Sequence, residues 1–235
     1  KTFAEKVFFS NSGAEAIEGA IKTARKHAYV NISKKKNGIV AFSDAFHGRT
    51  MMAIALNGSD RFVEGFGPMP GGITHHPYNE IKNLEKAINK NTAAVVIELV
   101  QGEAGIIKAK RDFIQKIKRL CKVHKALIIV DEVQSGAGRT GTLFAYEQFG
   151  IKPDIMCCAK GIGGGIPIGA ILTSTKIAEC MQLGSHGSTF GGNPLACAVA
   201  EKVMTLLSKK TLLNGVKKKE AIFVEELKNI NNEFK

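Results

Sequence analysis

Five short apolar runs, at residues 38–42, 93–98, 126–131, 154–159 and 168–173, recur along the chain, separated by longer stretches. They are rich in Val and Ile and nearly continuous in hydrophobicity, the pattern of strands buried on both faces. Apolar residues at helical spacing over 14–30, 79–90, 112–124, 193–208 and 216–229 provide covering layers, with Asp112 as the expected N-cap of its helix. Strand–helix alternation of this kind predicts an α/β fold with a mainly parallel sheet and helices on both faces. The 235 residues suffice for a sizeable core.

Composition narrows the function. The net charge is +12, but only six of the 33 basic residues are Arg, Trp is absent and Tyr occurs three times. Without aromatic residues interleaved among basic ones there is no base-stacking surface, so the charge reads as a solvated Lys-rich exterior and no nucleic-acid partner is expected. No apolar stretch approaches the roughly 18 residues of a membrane span, and no membrane partner is expected. The five Cys are irregularly spaced, which fits neither a disulfide framework nor a zinc site and suits a reducing cytoplasm. Asp44 and His47 lack a third ligand, so no metal is expected. The chain opens on Lys1 with no secretory pattern, and it reads as an internal piece of a longer protein.

In a sheet of this type, ligands bind beyond the carboxyl ends of the strands. The unusual residues of this chain fall there. Ser12, Gly13 and Ala14 start a helix, where free N–H groups and small side chains admit an anion; a plain capped helix is the alternative. Glu98 ends one apolar run and Asp131 with Glu132 ends the next, where a carboxylate is costly unless it is paired. Lys160 ends the next run and is followed by Gly161. Desolvation makes such a Lys nucleophilic toward carbonyls, although a Lys that merely snorkels at a strand exit looks the same. Phe46, His47 and Arg49 share one Gly-containing turn, offering a ring face and a carboxylate-binding fork. Together these features ask for one ligand with a phosphate, a basic ring nitrogen, an aromatic face and an aldehyde. Pyridoxal 5'-phosphate has all four.

Six segments carry a family resemblance: Asn11 to Ala16 (NSGAEA), Phe46 to Thr50 (FHGRT), Val100 to Glu103 (VQGE), Asp131 to Gly141 (DEVQSGAGRTG), Ala159 to Gly161 (AKG) and Gly187 to Pro194 (GSTFGGNP). In this order they closely resemble the class III (subgroup II) aminotransferases of the fold-type I pyridoxal phosphate enzymes. The resemblance implies that Lys160 bonds the cofactor and shuttles the substrate proton, and that Asp131 keeps the ring nitrogen protonated. It places Gln134 on the phenolic oxygen, Phe46 and Val133 on the two ring faces, and Ser12, Gly13 and Ala14 at the phosphate. Ser188 and Thr189 match phosphate contacts made across a homodimer. Arg49 matches a residue that binds a substrate carboxylate, and Glu103 an acid that yields its Arg partner to 2-oxoglutarate. His47 and Arg139 are expected in structural roles. Leu99 and Ala104 stand where the family often has Pro and Gly.

The resemblance implies a transaminase acting on a terminal amine, with N2-acetylornithine the expected donor and 4-aminobutyrate, ornithine and succinylornithine open. It also implies that residues 1–208 are a cofactor-binding large domain without its N-terminal segment. Residues 209–235 would begin the connection to a small domain, and the piece by itself could bind cofactor without turnover.

Overall fold

A computed structural model describes residues 2–233. The strands are β1 (Lys6–Ser10), β2 (Gly38–Phe42), β3 (Ile73–His76), β4 (Thr92–Glu98), β5 (Val100–Gln101), β6 (Ile107–Lys108), β7 (Leu127–Asp131), β8 (Ile155–Cys158) and β9 (Gly169–Thr173). The helices are α1 (Gly13–Asn31), α2 (Met51–Leu56), α3 (Asp60–Val63), α4 (Leu84–Ala87), α5 (Arg111–His124), α6 (Thr175–Ala178), α7 (Pro194–Leu207) and α8 (Lys210–Glu233).

Seven strands form one sheet in the order β1-β9-β8-β7-β4-β2-β3, and β5 pairs with β6 separately. The ladders from β3 through β2, β4 and β7 to β8 are parallel. Those of β9 with β8 and with β1 are antiparallel, so β9 alone in this sheet runs against the rest. The expected mainly parallel sheet is present.

The period-two rule explains the layers. Val95, Ile97, Ile128 and Val130 face one way and pack with Phe113, Ile114 and Ile117 of α5. Ala94, Val96 and Ile129 face the other way and pack with Ala16, Ile17, Ala20, Ile21 and Ala24 of α1. The alanines of α1 let its axis lie close to the sheet, where Ala16, Ala20 and Ala24 are fully buried. Each large aliphatic chain in these layers contributes about 1.5–3 kcal/mol by leaving water. A third cluster joins Met156, Cys158 and Ala170 to Ala196 and Ala200 of α7.

Several local expectations are corrected. β1 and β3 are strands that the apolar pattern does not reveal. Both lie at sheet edges: β1 offers only the three apolar residues Val7, Phe8 and Phe9, none fully buried, and β3 reads Ile-Thr-His-His with only its last residue buried. The helix expected over 79–90 is only the single turn of α4. Asn79 and Asn83 both adopt left-handed backbone at φ 62°, which interrupts a right-handed helix. Asp112 is not the cap of α5: Lys110 holds that position without a side-chain bond, and Asp112 Oδ1 accepts from the Phe113 N–H at 2.8 Å. α8 is longer than 216–229 and runs through Gly215. The expected boundary at 208/209 falls between α7 and α8. Among the described residues no helix is long and apolar enough to cross a membrane.

Phe113 is fully buried, with its ring 5.2 Å from Phe42 and 5.7 Å from Tyr78. Phe113→Ala leaves a cavity under the sheet and should lower unfolding free energy by about 3–5 kcal/mol in urea denaturation.

Candidate active site

The carboxyl ends of β4 and β7 and the exit of β8 meet the start of α1 around a cavity of about 410 Å³. This size is ordinary for a small-molecule site. Its walls include Ser12, Gly13, Ala14, Phe46, Asp131 and Lys160. Glu98, Glu103, Val133 and Gln134 also line it. Every residue expected at the cofactor from the first four motifs, and Lys160 from the fifth, is therefore brought together.

Asp131 is the most constrained member, at 4% exposure. Its Oδ1 accepts from the Val133 N–H at 2.9 Å, and its Oδ2 lies 2.8 Å from His47 Nδ1. A carboxylate only accepts, so Nδ1 carries the proton. The His47 side chain is fully buried, and its main-chain N–H donates to Asn57 Oδ1 at 2.7 Å. Burial opposes its positive charge, but the hydrogen bond and charge of Asp131, with Glu98 behind, outweigh burial and raise its pKa above 6.5. The bond from His47 thus fixes how the Asp131 carboxylate is turned.

The neighbouring strand end supplies a second buried acid. Glu98 is the register partner of Asp131 in the parallel β4–β7 ladder, and its Oε2 accepts from the Phe46 N–H at 3.0 Å. Glu132 turns the other way. It accepts from Ser135 Oγ at 2.6 Å and from the N–H groups of Ala145 (3.1 Å) and Tyr146 (2.8 Å). These bonds fold back the loop that follows β7 and so hold Val133 and Gln134 at the cavity. Burial raises the Glu132 carboxyl to about 7 against the pull of those donors. The sequence marks Glu98 and Glu132 by position, as charged residues at the ends of apolar runs, but their hydrogen-bond partners are visible only in the fold.

Ser12 caps α1 by accepting from the Glu15 N–H at 3.2 Å, and Glu15 returns a bond to the Asn11 N–H at 2.8 Å. Gly13 and Ala14, in the first turn, have no intrahelical acceptor for their N–H groups, which suits an anion. Gly48 brings the Phe46 turn against this helix start. It sits at φ 125°, and a Cβ there would stand 2.7 Å from that of Ala14. Gly102 does the same for Gln134, whose Oε1 would lie 1.4 Å from a Cβ at that position. Lys160 adopts φ 46°, an uncommon left-handed backbone for a residue with a side chain, such as clusters at functional sites.

Other expected residues lie outside the cavity. Arg49 is exposed, with its guanidinium 5.5 Å from the ring of Phe46 and 4.8 Å from that of Phe62. Ser188 Oγ accepts from Asn11 Nδ2 and from the Gly191 N–H, each at 3.1 Å, and Thr189 is exposed. Arg139 is exposed on the loop beyond Glu132.

An α/β fold whose strand ends bring a helix start open to an anion, a buried carboxylate and a lysine to one cavity presents groups suited to a planar phosphorylated cofactor with a basic ring nitrogen. The residues present fit pyridoxal phosphate. The chain belongs to the class III aminotransferases: residues 1–235 match the family described as Aminotransferase class-III. It is 51% identical over 233 residues to the acetylornithine aminotransferase of Vibrio vulnificus, covering 99% of this chain and 58% of that one. It is 50% identical over 236 residues to the succinylornithine transaminase of Yersinia pseudotuberculosis, covering 98% and 57%. The solved ornithine aminotransferase of Toxoplasma gondii superposes with a TM-score of 0.91 at 35% identity, covering 96% of this chain and 55% of that one. The N-acetylornithine aminotransferase of Stenotrophomonas maltophilia gives a TM-score of 0.81 at 38% identity, covering 99% and 56%. The chain thus spans little more than half the length of these relatives. Pyridoxal phosphate is the cofactor of the family.

The raised His47 pKa sets a sign. The folded protein keeps a proton that the unfolded chain releases near 6.5, so this stabilisation is complete below that pH and is lost as pH rises through the higher folded value. The stability deficit of His47→Gln should therefore be larger at pH 6 than at pH 9 in paired urea titrations. A pH-independent deficit would contradict the assignment.

Proposed function

We propose that this chain forms the cofactor-binding part of a transaminase. The reaction carries the terminal amino group of N2-acetylornithine to 2-oxoglutarate, giving N-acetylglutamate 5-semialdehyde and glutamate. The observation that carries this reading is the convergence of Asp131, Lys160 and the α1 start on one cavity. The N-acylated donor is favoured because the relatives at 50–51% identity are named for acetylornithine and succinylornithine. Succinylornithine, ornithine and 4-aminobutyrate are the alternative donors.

Pyridoxal phosphate, when bound, supplies an electron-accepting ring conjugated to an aldehyde. Asp131, oriented by His47 and by the Val133 N–H, holds the ring nitrogen protonated. Phe46 and Val133 bound the two ring faces, and Gln134 hydrogen-bonds the phenolic oxygen. Gly13 and Ala14, with Ser12, hold the phosphate. Lys160 secures the aldehyde end, and its Nζ then moves the proton at the substrate carbon. Arg49 leaves its aromatic rest on Phe46 and Phe62 to bind a substrate carboxylate. Glu103 is the acid that responds to 2-oxoglutarate.

A homodimer completes the site. Ser188 and Thr189 do not line the cavity of their own chain, while nearby Phe190 and Leu195 are 70% and 67% exposed. Both facts suit a strip that serves a second copy. The five unpaired cysteines support a reducing cytoplasm.

Purified protein mixed with pyridoxal phosphate should develop a visible absorbance band that Lys160→Ala abolishes, with turnover falling about 10³-fold or more. An unchanged spectrum in that variant would refute the assignment. Glutamate release compared across the four donors selects among them. Sedimentation finding only monomers at full cofactor affinity would remove Ser188 and Thr189 from the site.

A further inference from the structure

Two adjacent strand ends hold two adjacent residues of one loop. Asp131 at the end of β7 binds the ring of His47 at 2.8 Å, and Glu98 at the end of β4 binds the main-chain N–H of Phe46 at 3.0 Å. The two acids are register partners, and both line the cavity. Side by side and almost fully buried, two carboxylates repel unless one carries a proton or a cation stands between them.

The surroundings decide which acid keeps the proton. Asp131 accepts from two donors, one of them an imidazole. Among the described residues the Glu98 carboxyl has one donor, the Phe46 N–H, because the hydroxyl of Tyr78 donates to the main-chain oxygen of Glu98 at 2.8 Å. The charged groups around Glu98 are Asp131 from β7, His47 from the loop after β2 and Lys160 from the exit of β8. Burial pushes Glu98 up to about 7, with Asp131 adding to the rise and His47, the Phe46 N–H and Lys160 opposing it.

We propose that Glu98 is a proton-exchanging positioning residue, partly protonated beside Asp131 in the free protein at neutral pH and ionised once the cationic cofactor ring docks. The incoming positive charge takes over the role of the proton. The Glu98 O–H bond breaks, its electron pair stays on the carboxylate, and the proton leaves through the cavity to solvent. The ionised Oε2 then holds the Phe46 N–H more firmly, so ring binding tightens the loop that carries the stacking residue. This inference rests on the cofactor assignment of the preceding section.

The test uses pyridoxamine 5'-phosphate, which has no aldehyde to react with Lys160. Protons exchanged on binding are counted by calorimetry in buffers of different ionisation enthalpy. At pH 7 the wild type should release about half a proton more than Glu98→Gln, whose amide oxygen still accepts from Phe46. The difference should vanish by pH 9, where Glu98 is already ionised. Equal release at pH 7 overturns the proposal. If the variant does not fold, the wild type alone decides, since binding must remove a protonated-carboxyl carbonyl band from its infrared difference spectrum and persistence of that band overturns the proposal. Failure of the wild type to bind the probe at all is a different outcome and rejects the cofactor assignment itself.

Discussion

A carboxylate buried at the end of a central strand is the constraint around which the rest of the site is arranged. Asp131 follows four buried apolar residues of β7 and is itself 4% exposed. Taking such a charge out of water costs several kcal/mol unless partners replace the solvent. Those partners come from two directions. The chain turns sharply after β7 to present the Val133 N–H and the loop after β2 delivers His47, while the parallel register places a second acid, Glu98, alongside. His47 in turn depends on Asn57, which takes its main-chain N–H and donates to the Gly48 oxygen. One desolvated acid therefore dictates the course of the loops that also bring Phe46 and Val133 to the cavity.

The other wall is made of close approaches. The start of α1, the Phe46 turn and the loop after β7 crowd together because Gly48 and Gly102 leave room for Ala14 and Gln134. Lys160 carries unfavourable left-handed backbone at the β8 exit, held in place by a buried strand before it and by Ile162 packed in the α7 layer after it. Conformational strain of this kind persists only where the surroundings over-determine the chain. Here the parallel core supplies that rigidity, and Asp131, Glu98 and Lys160 all sit at the end of a strand or within two residues of it.

Much of this is legible in the sequence because burial on both faces leaves a strong trace. β2, β4, β7 and β9 appear as runs containing Val or Ile and β8 as the apolar run Ile-Met-Cys-Cys, and the charged residue that ends a run marks the site. β3 is not legible, since an edge strand reading Ile-Thr-His-His has no run to detect, and the start of α5 misleads because Lys110 caps it by backbone geometry alone. Asp131 and Lys160 can be read from position. The link between His47 and Asp131 cannot, because residues 84 apart in sequence meet only through strand order. Glu98 too can be read from its position at the end of a run, but its pairing with Asp131 cannot, because register across a parallel ladder is not written in either strand by itself.

The charge balance of the site differs from that of the whole chain. The net charge is +12, yet the cavity lining holds Asp131, Glu98 and Glu103 against Lys160 and His47. Among the described residues no Arg and no second Lys line it, and the anion position is formed by N–H groups of α1 instead. On the proposed reading, fixed dipoles would receive the phosphate without placing a mobile cation near the ring, where it would compete for Asp131. Surface lysines act on the cavity only weakly, since exposed charges are screened over about 8–10 Å at ordinary ionic strength. The protonation of the site is therefore set by its own few groups, and under the proposed assignment a ring cation arriving at Asp131 would change that small sum by a full unit.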